Sequence, residues 1–172
     1  MQRSFASLNP QEILQVAITI EERNAGIYHR FAEMFTEFGD EESLEIAAVF
    51  WDMAIEERNH RALLQQAYRD HYGEAGCSLT EGDLIESIEV PRLDLDAVLE
   101  GGDYSLTARQ RALRVALQAE HSAQTFYDEM TKRTPDGALR RLYSELAQME
   151  DDHVAFLEAK LAQDTTESPT LQ

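Results

Sequence analysis

Cysteine is nearly absent from this 172-residue chain. Cys77 is the only one, so no intrachain disulfide can form, and neither a Cys-x-x-Cys zinc site nor a rubredoxin-type iron site can be built. Basic residues are scarce as well. Lys and Arg number 15 against 33 Asp and Glu, a formal net charge of −18. A surface of that sign repels polyanions, which excludes nucleic acid as the expected partner and favours cations. It also serves solubility, whatever else the acids do. Long hydrophobic runs are missing too. The longest, IAAVFW at 46–51, is far short of the ~20 apolar residues that cross a bilayer, and the opening MQRSFASLNP has no apolar stretch of signal-peptide type. The expectation is a cytoplasmic protein without membrane contact.

What the chain has instead is helical periodicity. Asn9 followed by Pro10 suits a helix start, because the Asn oxygen can cap free N–H groups and Pro fits the first turn. From Leu14 the inward positions recur at spacings of three and four through Ala17, Glu21, Ala25, Tyr28, Phe31 or Ala32, and Phe35, which is one face of a helix. The pattern predicts helix A over about 10–38. Gly39 breaks it, and Asp40 can cap a helix B over about 40–72, with Gly73 as its stop. Residues 73–105 contain five glycines and one proline with weak periodicity, and read as a crossover long enough to return along a whole helix. Helix C is predicted over about 106–132 and, after the turn RTPDG, helix D over about 138–163. Residues 164–172 read as a flexible tail. The expected architecture is one all-α domain over 1–163.

The two hairpins repeat each other. In AITIEERNAGIY, helix A places Ala17, Glu21 and Tyr28; in ALQAEHSAQTFY, helix C places Ala116, Glu120 and Tyr127 at the same offsets. EERNHRALL of helix B carries Glu57, His60 and Leu64, and EDDHVAFL of helix D carries Glu150, His153 and Leu157. One Glu-x-x-His alone is weak, since both residue types are common at that spacing on helix surfaces. Two copies on alternate helices, each with a lone in-stripe Glu on the partner helix, form a pattern that coincidence explains poorly.

Four ionised carboxylates in one core would cost several kcal/mol each unless neutralised. Two divalent cations supply four positive charges, which balances them if both imidazoles are neutral. Residues at i and i+3 share a helix face, so Glu57 with His60, and Glu150 with His153, can each reach one ion. Carboxylates bridge metal pairs about 3.5–4 Å apart, and mixed O and N donors without thiolate suit iron or manganese better than zinc. The expected ligands are therefore Glu21, Glu57, His60, Glu120, Glu150 and His153. Tyr28 and Tyr127 are expected to support the ligating carboxylates by hydrogen bonding. Glu22 and Glu56 fall off the stripe, and His29, His71 and His121 lie outside the repeat; all five are expected at the surface.

Glu21 with Tyr28, Glu57-x-x-His60, Glu120 with Tyr127 and Glu150-x-x-His153 together resemble the ferritin-like superfamily, and most closely rubrerythrins and the erythrin-like domains, over about residues 9–163. The resemblance implies a ferritin-like four-helix bundle of two pseudo-symmetric antiparallel hairpins joined by a long crossover. It further implies a centre of two iron ions that reduces hydrogen peroxide or dioxygen, with the six residues above as ligands. Manganese or mixed-metal loading is compatible with the same donors. Three differences from the resembled families stand out. The rubredoxin domain with four cysteines is lacking, so electrons are expected from a separate donor protein. The extra Glu that many rubrerythrins place three residues after the helix C ligand is Ala123 here, with Asn24 at the matching place in helix A. Arg58 stands where bacterioferritins carry a haem-binding Met, so haem is not implied. The alternative function is iron binding and storage, as cargo of a larger compartment. A homodimer is expected, with exchange of hairpins as one way to close it.

Overall fold

The computed structural model describes residues 7–73 and 106–167. Four α-helices and no strand occur among the described residues: α1 Pro10–Phe38, α2 Glu41–Tyr72, α3 Ala108–Arg133 and α4 Gly137–Glu167. The chain divides into two compact units, Met1–Glu89 and Val90–Gln172. α1 packs on α2 in the first, and α3 on α4 in the second. The crossover expected over 73–105 lies outside the described residues except for Gly73. The expected tail is helical as far as Glu167, and its last five residues, 168–172, are likewise outside them.

Local chemistry explains the helix boundaries. Asn9 accepts from the Glu12 N–H at 2.9 Å while Glu12 Oε2 accepts from the Asn9 N–H at 2.9 Å, a reciprocal cap that satisfies two of the donors a helix start leaves free. Thr107 and Gln110 make the same pair at 3.1 Å at the start of α3. Asp40 Oδ1 accepts from the Ser43 N–H at 2.9 Å, and the bonds from Ser43 hold the Asp40 carboxyl below its usual range. Asp136 Oδ1 accepts from Ala138 and Leu139 at 2.8 and 2.9 Å, opening α4. Between α1 and α2 the chain reverses through Gly39 at φ 72°, a left-handed conformation that a side chain would strain.

Each hairpin buries one apolar stripe per helix. In the first, Leu14, Ala17, Tyr28, both Phe31 and Ala32, Phe50, Ala54 and Leu64 are inaccessible to solvent. Phe50 is the hub, with ring centroids 6.1 Å from Tyr28, 5.1 Å from Phe31 and 6.0 Å from Phe35. In the second, Leu113, Ala116, Tyr127, Met130, Leu146 and Leu157 are buried equally. Leu14 and Leu113, Ala17 and Ala116, and Leu64 and Leu157 hold the same register in the two repeats, so the repeat organises packing as well as polar residues. A polar tie crosses each hairpin near its ends: Gln11 Nε2 donates to Tyr68 Oη at 2.8 Å in one, and Arg109 pairs with Asp164 at 3.0 Å in the other.

Candidate metal centre

The buried stripes are interrupted by charge at matching places. Glu21 on α1, Glu57 and His60 on α2 converge in the first hairpin. His60 Nδ1 lies 3.5 Å from Glu21 Oε2 and 3.8 Å from Glu57 Oε1. In the second hairpin, His153 Nδ1 lies 3.4 Å from Glu120 Oε2 and 3.7 Å from Glu150 Oε2. All four carboxylates are 0% exposed, His60 is 6% and His153 8% exposed. Helical geometry produces this directly. The Glu-x-x-His spacing stacks two donors on one face, and the neighbouring helix adds a third from its own inward stripe.

In each hairpin the three residues offer donor atoms that all lie within 4.8 Å of one another. The His-to-Glu separations exceed ordinary hydrogen-bond lengths. They are close to the ~3.2 Å that separates two donors bound about 2.1 Å from one ion at roughly 100°. Oxygen and imidazole nitrogen without sulfur is a donor set for iron or manganese. On both counts each group is able to hold a metal ion.

Burial has an electrostatic cost here. The Glu120 carboxyl is pushed up to about 8, first because burial strips water from its charged form and then through hydrogen bonding to, and repulsion by, Glu150; His153 pulls the other way. Without a cation, this carboxyl therefore holds its proton at neutral pH more often than it releases it. A bound cation reverses that preference, since it favours the ionised form.

Tyr28 and Tyr127, two turns along from Glu21 and Glu120, are both fully buried. Tyr28 stacks on Phe50 at 6.1 Å and 20°, and Tyr127 on Tyr143 at 6.2 Å and 25°. Phe50 and Tyr143 each precede the Glu of their Glu-x-x-His by seven residues, so the two stacked pairs occupy matching registers. Glu22 and Glu56 are exposed, and Glu22 pairs with Arg61 at 3.2 Å. His71 and His121 are exposed, while His29 is half-buried edge-on to Trp51 at 4.7 Å and 3.4 Å from Glu33. Asn24 is a further buried polar residue, 1% exposed and one turn beyond Glu21. Spacing places it beside the register of Glu21, but its burial has no signal in the sequence.

The family model for rubrerythrin matches residues 12–102, more than half of the chain, and the chain belongs to the rubrerythrin family. Two solved structures share its all-α, ferritin-like fold. An uncharacterised conserved protein from Magnetospirillum magnetotacticum superposes with a TM-score of 0.70 at 25% identity, covering 96% of this chain and 100% of that one. A hypothetical protein from Pyrococcus furiosus does so with a TM-score of 0.69 at 24% identity, covering 92% and 91%. No curated protein matches the chain. Among the described residues, no helix is long and apolar enough to cross a membrane.

Proposed function

We propose that this protein is a di-iron carboxylate oxidoreductase of the rubrerythrin type, which reduces hydrogen peroxide or dioxygen with electrons from a separate donor protein. Its ligands are Glu21, Glu57, His60, Glu120, Glu150 and His153. The observation that carries the reading is the duplication of a buried Glu, Glu and His group, with His-to-Glu distances that agree within 0.1 Å from one hairpin to the other. Membership of a family that typically binds iron adds to it. Together the two groups hold four carboxylates and two imidazoles, the set that helix bundles use for two divalent ions.

When bound, the metal pair supplies two electrons and Lewis acidity, enough to take hydrogen peroxide and two protons to two molecules of water. The protein's own part is positional. Glu57 with His60, and Glu150 with His153, present their donors from a single helix face, which keeps their geometry rigid. Glu21 and Glu120 supply the charge from the facing helix. The buried rings of Tyr28 and Tyr127 keep water from the ligand turns, with their hydroxyls as supports for the carboxylates. The oxidant is the substrate; haem has no role. The protein acts in the cytoplasm as a homodimer.

A second reading keeps the same ligands and changes the fate of the iron. The net charge of −18 concentrates cations near the surface, which suits a ferroxidase that passes iron on to storage. One experiment tests the first reading and separates it from the second: anaerobic Fe(II) titration of metal-stripped protein, followed by peroxide under single and multiple turnover. Saturation at about two irons per chain, with peroxide consumed and iron retained, is the expected result. Iron released or mineralised beyond that ratio favours the storage reading. Failure to bind either iron or manganese overturns both.

A further inference from the structure

The two half-sites are alike in their ligands and unlike one turn away. In the first hairpin, Asn24 follows Glu21 by three residues, and its Nδ2 is buried with no hydrogen-bond partner among the described residues. In the second, the same register is Ala123, buried at 1% exposure with no polar side-chain atom. Side chains at i and i+3 are neighbours on a helix, and each leans over the turn on its N-terminal side. The Asn24 carboxamide therefore overlies the turn that carries Glu21, itself 3.5 Å from His60 Nδ1.

A buried amide donor without an acceptor is costly, and an alanine or leucine would fill the position without that cost. Its neighbours in the stripe, Ala17, Ala25, Tyr28 and Phe31, show that α1 is otherwise packed with small and apolar groups there. An acceptor brought in from outside would resolve the cost. Beside a group of this charge and donor type, such an acceptor is a small anion that enters with the metal, such as hydroxide, hydroperoxide or azide.

Building on the di-metal reading above, we propose that Asn24 is a positioning residue for a small anionic ligand. Its Nδ2 donates to an anion held at Glu21, Glu57 and His60, so that exogenous anions bind to the first hairpin's half of the centre in preference to the second. The missing donor at Ala123 makes the centre functionally asymmetric in spite of its symmetric ligands.

The test uses the full chain and azide as the probe. Asn24→Leu removes the donor while keeping the number and branching of side-chain heavy atoms, and Ala123→Asn, combined with it, moves the amide to the other hairpin. Iron per chain is counted first; azide is then titrated into the oxidised, iron-loaded protein by its charge-transfer absorption; the metal-free proteins are melted in parallel. The expected result is unchanged iron stoichiometry and azide affinity weakened roughly tenfold in Asn24→Leu, the worth of one hydrogen bond. Recovery is expected in the double variant, and a metal-free melting temperature equal to or above that of the parent. Unchanged azide affinity at full iron loading overturns the role of Asn24 and leaves the metal reading standing. A metal-free Asn24→Leu protein that melts well below the parent overturns it too, because the amide is then a structural partner. A parent protein that binds no iron overturns the metal reading and this inference with it.

Discussion

The first hairpin, α1 with α2, and the second, α3 with α4, are two solutions to one packing problem. Both bury two glutamates and a histidine. Both place a stacked aromatic pair two turns away, Tyr28 with Phe50 and Tyr127 with Tyr143. Around these the residues diverge. Phe31 corresponds to Met130, and Asn24 to Ala123. Phe50 sits in a cluster with Tyr28, Phe31 and Phe35, while Tyr143 stacks on Tyr127. Hydrophobic packing is non-directional and accepts such exchanges as long as volume is filled. Donor geometry around a cation accepts none. The contrast separates residues held for their shape from residues held for their chemistry.

The comparison can be broken first at the ligands. Glu57→Ala and Glu150→Ala should each lower bound iron from about two to about one per chain or fewer, measured by elemental analysis after desalting. Equal losses sustain the equivalence of the hairpins, and full retention by either variant removes that residue from the ligand set.

At the aromatic pairs the effect is smaller and unequal. Phe50→Ala should destabilise the metal-free protein by about 3–5 kcal/mol, as for other fully buried aromatics. Tyr143→Ala should fall at the lower end of that range, because a phenol is partly polar and gains less on leaving water than the wholly apolar ring of Phe50. Urea unfolding gives the difference.

A pH titration then sharpens the electrostatic side. Glu120 binds its proton more tightly when folded, at about 8 against an ordinary 4.5. Its contribution to the stability of the metal-free protein is therefore complete below about 4.5 and is lost as the pH rises through about 8. The slope is at most about 1.4 kcal/mol per pH unit. Glu120→Gln should flatten that slope, and melting curves from about pH 5 to 9 will register it.

The smallest effects belong to the helix starts. Asn9→Ala and Thr107→Ala each remove one half of a reciprocal cap and should cost about 1 kcal/mol apiece. A much larger loss for one of them would mean that the two hairpins depend unequally on their first turns.

Much of this architecture is legible in the sequence. The caps at Asn9 and Asp40 and the Gly39 turn follow from side-chain chemistry that acts within four residues, so local reading suffices. The end of α4 is less legible: periodicity suggests about 163, yet the helix runs to Glu167. Gln163, Asp164, Thr165 and Thr166 carry no strong helix breaker, and local preference there is weak. The site is legible as a register, because the repeat of Glu21, Tyr28, Glu57 and His60 by Glu120, Tyr127, Glu150 and His153 is carried by spacing alone. The burial of Asn24 and the partnerships of Phe50 are not, since both depend on which face of the neighbouring helix lies opposite.

By itself, the sequence determined the helical class, the hairpin boundaries near Gly39 and Asp136, and the residues that share each helix face, because these depend on short-range sterics and on a period of about 3.6 residues. Only tertiary structure decided that His60 would stand 3.5 Å from Glu21 across a helix pair, and that Glu120 would hold its proton to about pH 8. Only it, too, buried an amide beside the Glu and His group of one hairpin and a methyl group beside that of the other. Those outcomes depend on distance and desolvation between segments far apart in the chain. Side-chain spacing along one helix carries no record of either.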